Sequence, residues 1–353
     1  MDDTARMLVD TAERLFSEHC GKDVLIAAER GEWPAALWGA VEEAGLPLAL
    51  LSEERGGVGL GAADALAVLR VSARHSAPIP LAETLLATWL LNKAGLDMPA
   101  GPLTVAPVAP RDRLTVRTQD GASLIEGRAT RVPFARHAAT IVALAHDEGG
   151  AVFVACVEAG ACGVAPGANL AREPRDAVTF AGVPAVAIAP APATLGADDL
   201  HAFGAALRTV QIAGALGQAL DLTVRYAQER AQFGRAIGKF QAVQHAVAML
   251  AAHSAAASAA ADMAAEAASD GVEPLLVGAA KTRAGEAASA GAAIAHQMHG
   301  AIGFTHEHRL HFSTKRLWSW RDEFGRDSDW ALLLGRAALA AGPQRLWADL
   351  VTA

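Results

Sequence analysis

Cysteine is nearly absent: Cys20, Cys156 and Cys162 are the only three in 353 residues. An odd, irregularly spaced set forms neither a disulfide framework nor a zinc cage, and it fits a reducing cytoplasm, the expected location. Charge is scarce too: 19% of residues are charged, and 38 acidic against 30 basic side chains leave a net −8. With no basic run and no interleaving of basic and aromatic residues, nucleic acid is not an expected partner. The apolar stretches are broken by charge every few residues, so no membrane span is expected. The start, Met1-Asp2-Asp3, is acidic, where a secretory signal needs a basic start and an apolar run.

Hydrophobic residues, at 52%, are plentiful, enough for a sizeable core and two or three domains. Residues 1–98 read as a helical domain. Ala5, Leu8, Ala12, Leu15 and Phe16 fall on one face of a helix over 3–18. A second helix is expected over 34–44, stopped by Gly45, and further helices over 62–75 and 81–94. Between them lies the run Gly56-Gly57-Val58-Gly59-Leu60-Gly61. It lacks the spacing of a dinucleotide loop and any following Lys-Ser/Thr, so it reads as a tight turn.

Residues 99–196 read as a small β domain. Short β-branched runs at 114–118, 140–144 and 151–155 are punctuated by Pro102, Pro107, Pro110 and Pro133. Asp120-Gly121 signals a hairpin. Residues 197–353 read as helical again, with breaks at Gly234, Asp270-Gly271 and Gly300–Gly303. The alanine-rich stretches there predict an ordered bundle, because alanine favours helix and permits close packing. The fold class is α+β, mainly α.

Two segments carry a family resemblance. Arg230-Ala231-Gln232-Phe233-Gly234, followed by Ile237 and by Phe240-Gln241-Ala242-Val243-Gln244, resembles the Arg-x-x-Phe-Gly…Ile…Phe-Gln-x-x-Gln pattern of acyl-CoA dehydrogenases. Gln297-Met298-His299-Gly300-Ala301-Ile302-Gly303-Phe304 is similar to that family's Gln-x-x-Gly-Gly-x-Gly-Tyr/Phe segment. A weaker match runs from Gly45-Leu46-Pro47 to Leu60. The resemblance implies an N-terminal helical domain, a middle β-barrel or sandwich and a C-terminal four-helix bundle.

It also implies FAD as cofactor. Arg230, Gln232 and Phe233 would touch a flavin dinucleotide held mainly by a neighbouring subunit, and Gln297, Gly300 and Ala301 its adenosine side. A guanidinium suits a pyrophosphate through paired, charge-assisted hydrogen bonds, and a helix restart beyond Gly234 would add backbone donors. Phe240, Val243, Val247 and Leu250 are expected to form a core face, with Gln241, Gln244 and His245 beside it at the pocket edge. His296 and His299 have no further Cys or Asp in register, so no metal is expected.

The implied reaction is α,β-desaturation of an acyl-CoA. A carboxylate takes the α-proton and the flavin accepts the β-hydrogen as hydride. The family keeps that carboxylate in one of two places, which fall here on Leu207 and Phe324. Glu323 and Asp322, beside the second, are the candidate catalytic bases. Two segments on the flavin-ring side also depart from the family: Ala106-Pro107-Val108-Ala109-Pro110-Arg111-Asp112-Arg113 and Ala129-Thr130-Arg131-Val132-Pro133-Phe134. With the nucleotide half kept and the ring half altered, the chain resembles short bacterial members and subunits of heteromeric acyl-CoA dehydrogenases. Three functions follow from the resemblance: an acyl-CoA dehydrogenase passing electrons to an electron-transfer flavoprotein, a non-catalytic partner subunit that completes another subunit's FAD site, or a flavin-dependent oxygenase. A homo- or hetero-oligomer, dimer or tetramer, is implied.

Overall fold

The computed structural model describes residues 3–269 and 271–345. Met1, Asp2 and Asp270, part of the acidic start and of one expected turn, lie outside them. The chain divides into two compact units, Met1–Leu69 with Ala77–Gly204, and Arg70–Ser76 with Ala205–Ala353.

The first unit begins with α1 (Asp3–His19), α2 (Lys22–Glu29) and α3 (Ala35–Glu43). In α1 four of the five expected stripe residues, Ala5, Ala12, Leu15 and Phe16, are buried, and Leu8 is half-buried. α2 escapes sequence reading because it is eight residues long and buries only Leu25, which leaves no stripe to detect. Gly45 stops the next helical stretch in a left-handed conformation, φ 69°. The glycine cluster is the expected turn. Gly57 N donates to Ser52 O at 3.0 Å and Gly59 N to Leu51 O at 2.8 Å, folding the loop back on itself. Then come α4 (Ala62–Arg74) and α5 (Leu81–Ala94). Every residue of α5 from Leu81 to Leu91 is buried. The Thr84 hydroxyl clasps the backbone of Leu103, accepting from its N–H at 3.1 Å and donating to its carbonyl at 3.2 Å.

That clasp ties α5 to the sheet. Its strands are β1 (Leu103–Ala106), β2 (Leu114–Gln119), β3 (Ala122–Pro133), β4 (Thr140–His146), β5 (Val152–Glu158), β6 (Gly163–Ala165), β7 (Arg175–Pro184) and β8 (Ala187–Pro190). The order is β6-β7-β3-β2-β4-β5-β8, with β1 also on β4. β1 and β2 run parallel to β4, and the remaining pairs are antiparallel. Asp120 and Gly121, at φ 52° and 81°, make the two-residue turn between β2 and β3. Val116, Ile125, Ile141, Val157 and Phe180 pack in the sheet core. The fully buried Asp176 anchors the β7 end, accepting from Arg136 N, Arg136 Nε and Gly167 N, each at 3.0 Å.

α6 (Ala197–Glu229) is 33 residues long and runs from the first unit into the second. The second unit adds the short strands β9 (Ala231–Gln232) and β10 (Arg235–Ala236), then α7 (Gln241–Glu266), α8 (Pro274–His299), α9 (Leu310–Asp322) and α10 (Asp327–Ala341). The alanine-rich stretches are ordered helix. α7 buries Ala257, Ala260, Ala261, Ala264 and Ala265, and α8 buries Ala280, Ala284, Ala287, Ala288 and Ala292. One expectation fails. Of the supposed core face Phe240, Val243, Val247 and Leu250, only Leu250 is buried, and the other three are half-exposed. The first turns of α7 lie open, because no element among the described residues covers that stripe.

Candidate functional site

The break expected at Gly234 is that hairpin. α6 ends at Glu229, and Arg230 N still donates to Tyr226 O at 2.9 Å. β9 and β10 then pair antiparallel, joined by Phe233 and Gly234 at φ 52° and 77°. Positive φ at both turn residues is the type I′ geometry that matches strand twist. It is uncommon for phenylalanine, and this phenylalanine is 92% exposed. Phe240 packs under the turn. Its ring lies 6.1 Å from Phe233, edge-on, and the Arg235 guanidinium sits 4.1 Å above it.

The second motif closes α8. Gly300 ends the helix at φ 63°, ψ −144°, a region open essentially to glycine alone. A Cβ placed there would meet nothing within 4 Å, so conformation, not crowding, requires glycine, and the backbone is open to approach. Gln297 and Ala301 are exposed beside it. Among the described residues the side chains of Arg230, Gln232, Gln241 and Gln297 have no hydrogen-bond partner. A guanidinium and carboxamides left without partners among the described residues, with an open glycine backbone, offer the kind of donors that an anionic dinucleotide such as FAD takes.

The two carboxylate slots come together in the helical unit, at positions filled by apolar side chains. Leu207 is 1% exposed and Phe324 8%. Their sequence neighbours meet: Arg208 Nε donates to Glu323 Oε2 at 2.8 Å, and Arg208 Nη1 to Gln211 Oε1 at 2.5 Å. The Arg208 guanidinium also lies 5.5 Å from the Phe324 ring. Glu323 keeps 18% of its side chain exposed and Arg208 only 2%. Asp322 is more open, at 44%, and pairs with the adjacent Arg321.

Lys281 completes this cluster, and sequence reading missed it. Its Nζ donates to Arg321 O at 2.6 Å and to Gly325 O at 2.8 Å, bracketing Glu323. The available signal was one lysine on the small-residue stripe of Val277, Gly278, Ala284 and Gly285. Burial lowers its pKa from 10.5 to about 7; Glu323, Asp322 and Asp327 oppose the shift and Arg208 adds to it. Between about pH 7 and 10.5 the unfolded chain therefore holds a proton there that the folded chain does not. Stability from this group rises with pH across that window, by up to about 1.4 kcal/mol per pH unit, and is flat below it. Urea midpoints measured from pH 7.5 to 9 are expected to climb more steeply in the wild type than in Lys281→Met.

On the sheet side, the two altered segments satisfy each other. Asp112 Oδ2 accepts from both Thr130 N at 2.5 Å and Thr130 Oγ1 at 2.8 Å. Arg131 is at φ 56°, in an irregularity of the β3–β7 pairing. Phe134, at φ 50°, is buried, with the Arg175 guanidinium 5.7 Å from its ring. The Thr130 hydroxyl thus spends its donor inside the domain.

Comparison with known proteins agrees with both motif segments. Residues 2–98 match the family description "Acyl-CoA dehydrogenase, N-terminal domain" and residues 202–320 "Acyl-CoA dehydrogenase, C-terminal domain". The chain is 30% identical to the acyl-CoA dehydrogenase IpdE2 of Mycobacterium tuberculosis over 316 residues, 88% of this chain and 90% of that protein. Among solved structures, the Tcur3481–Tcur3483 steroid ACAD is 27% identical with a TM-score of 0.84, covering 96% of this chain and 99% of the other. The ChsE4–ChsE5 complex of Mycobacterium tuberculosis, 23% identical, shares the fold with a TM-score of 0.83 over 97% and 99% of the two chains. No helix among the described residues is long and apolar enough to cross a membrane. With both terminal regions matched and the helix–sheet–helix order reproduced, the chain belongs to the acyl-CoA dehydrogenase family, a family of FAD flavoproteins.

Proposed function

We propose that this chain is one subunit of a heteromeric acyl-CoA dehydrogenase, gripping FAD together with a neighbouring subunit in the α,β-desaturation of an acyl-CoA thioester. The observation that carries this reading is the open face of the hairpin. Phe233 sits 92% exposed on a positive-φ turn, beside side-chain donors that have no partner among the described residues. Such an arrangement is retained where something else covers it. Arg230 would hold the pyrophosphate, Gln232, Gln241 and Gln297 the ribose and adenine edges, and Phe233 and Phe240 would form the apolar wall. Gly300 and Ala301 would let the backbone approach closely. Bound FAD supplies the acceptor for the β-hydrogen, and an electron-transfer flavoprotein is the proposed onward acceptor. The two-component name of the Tcur3481–Tcur3483 enzyme and the ChsE4–ChsE5 complex support a heteromer. The test is colour: this chain should be colourless when purified alone and yellow when co-purified with a related subunit. A chain that is active only with externally reduced flavin and oxygen is instead an oxygenase.

In this reading the partner supplies the base, because Arg208 already engages Glu323. A second reading keeps Glu323 as the base, since it adjoins the Phe324 slot and retains some exposure; Asp322, paired with Arg321 and more open, ranks behind it. Glu323→Gln in the purified complex separates the two. Anaerobic bleaching of the flavin by acyl-CoA should stay within about three-fold of wild type if the partner holds the base. It should fall about a thousand-fold if Glu323 does.

A further inference from the structure

The nucleotide-binding donors proposed above come from two segments far apart in the chain, the Arg230 hairpin and the Gly300 loop. One side chain touches the roots of both. Tyr226 lies one helical turn before Arg230, whose N–H bonds the Tyr226 carbonyl. Its ring is stacked on His299, the residue before Gly300, with centroids 4.6 Å apart and planes 25° apart. It meets His308 edge-on at 6.2 Å, and His308 lies 4.5 Å from His299.

The backbone fixes each imidazole. His299 Nδ1 lies 2.8 Å from the Ala295 carbonyl within α8, and His308 Nδ1 accepts from Leu310 N at 3.1 Å at the start of α9. Burial lowers the pKa of both, His308 to about 4, so the rings present neutral π faces to the tyrosine. Tyr226 is the only tyrosine in the chain, and its hydroxyl has no protein hydrogen-bond partner among the described residues. The ring therefore makes the connection, with geometry in the range preferred by aromatic pairs.

We propose that Tyr226 is a positioning residue of the flavin site, its ring against His299 and His308 holding the Arg230 hairpin in register with the Gly300 loop. This rests on the flavin reading given above and assigns Tyr226 no chemical step. A donor set pre-organised in this way binds more tightly than the same donors on two loose segments.

Three measurements test it. FAD affinity, read by flavin fluorescence on the chain with its co-purifying subunit, should fall at least ten-fold in Tyr226→Leu and stay within two-fold in Tyr226→Phe. The wild-type chain grown on 3-fluorotyrosine and mixed with unlabelled partner should give one fluorine resonance, which shifts on FAD addition without any substitution. Full affinity in Tyr226→Leu overturns the proposal. Equal losses in the Leu and Phe variants also overturn it, since the hydroxyl would then be the group that matters. So does a resonance that stays put while FAD binds. If the wild-type complex takes up no FAD, the flavin reading itself fails and this inference falls with it; in the other negative outcomes the wild type binds and only the role of Tyr226 is lost.

Discussion

Replacing Arg230 with alanine is expected to weaken FAD binding by the assembled complex about thirty-fold, with no loss of folding stability. Hydrogen bonds to a charged partner contribute about 1.5–3 kcal/mol each, and about 1.4 kcal/mol is a factor of ten. Thirty-fold is thus what one good charge-assisted contact supplies. Folding should be unaffected because Arg230 is exposed and bonds no other side chain among the described residues. Arg230→Lys keeps the charge and loses the planar fork, so it should fall between alanine and wild type. Titration of the apo-complex with FAD reads all three. An alanine variant that binds like wild type would remove Arg230 from the site.

The largest expected effect on stability comes from Arg208. Its side chain is 2% exposed and meets a carboxylate that is itself mostly buried. Removing one member of a buried ion pair leaves the other desolvated and unpaired, at a cost of about 3–5 kcal/mol. Because Glu323 keeps 18% exposure, the lower end of that range is expected for Arg208→Met. Adding Glu323→Gln should recover much of the loss, since the stranded charge is then gone. Urea unfolding of the two single variants and the double variant measures this coupling. If Arg208→Met unfolds at the wild-type midpoint, the pair is not an anchor and Glu323 is free to move.

Sequence alone reached the helix–strand–helix order because its signals were local. The periodic stripe of α1, the turn at Asp120-Gly121 and the helix stop at Gly45 each depend on a few adjacent residues. The flavin motifs were legible for the same reason. α2 was not, being short and burying one side chain, nor was the hairpin at 231–236, whose turn uses a phenylalanine where the rules look for Asn or Gly. The face assigned to Phe240, Val243 and Val247 was misplaced because helical spacing does not say whether anything packs against a stripe. Above all, the Arg208–Glu323–Lys281 cluster and the Tyr226–His299–His308 stack join residues dozens of positions apart. One-letter spacing carries no record of such meetings.

The alanine content of the bundle has one more consequence. Methyl side chains have no rotamers to lock, so α7 and α8 touch along two nearly featureless rails. Larger side chains from the surrounding helices seat against α8 at two glycines instead. A Cβ on Gly291 would lie 2.4 Å from a Leu216 methyl and 3.2 Å from one of Leu250, and a Cβ on Gly278 would lie 2.7 Å from the Trp330 ring. The notch at Gly291 seats Leu250 of α7 together with Leu216 of α6, and the notch at Gly278 seats Trp330 of α10, so α8 is keyed to three neighbouring helices at two points along its length.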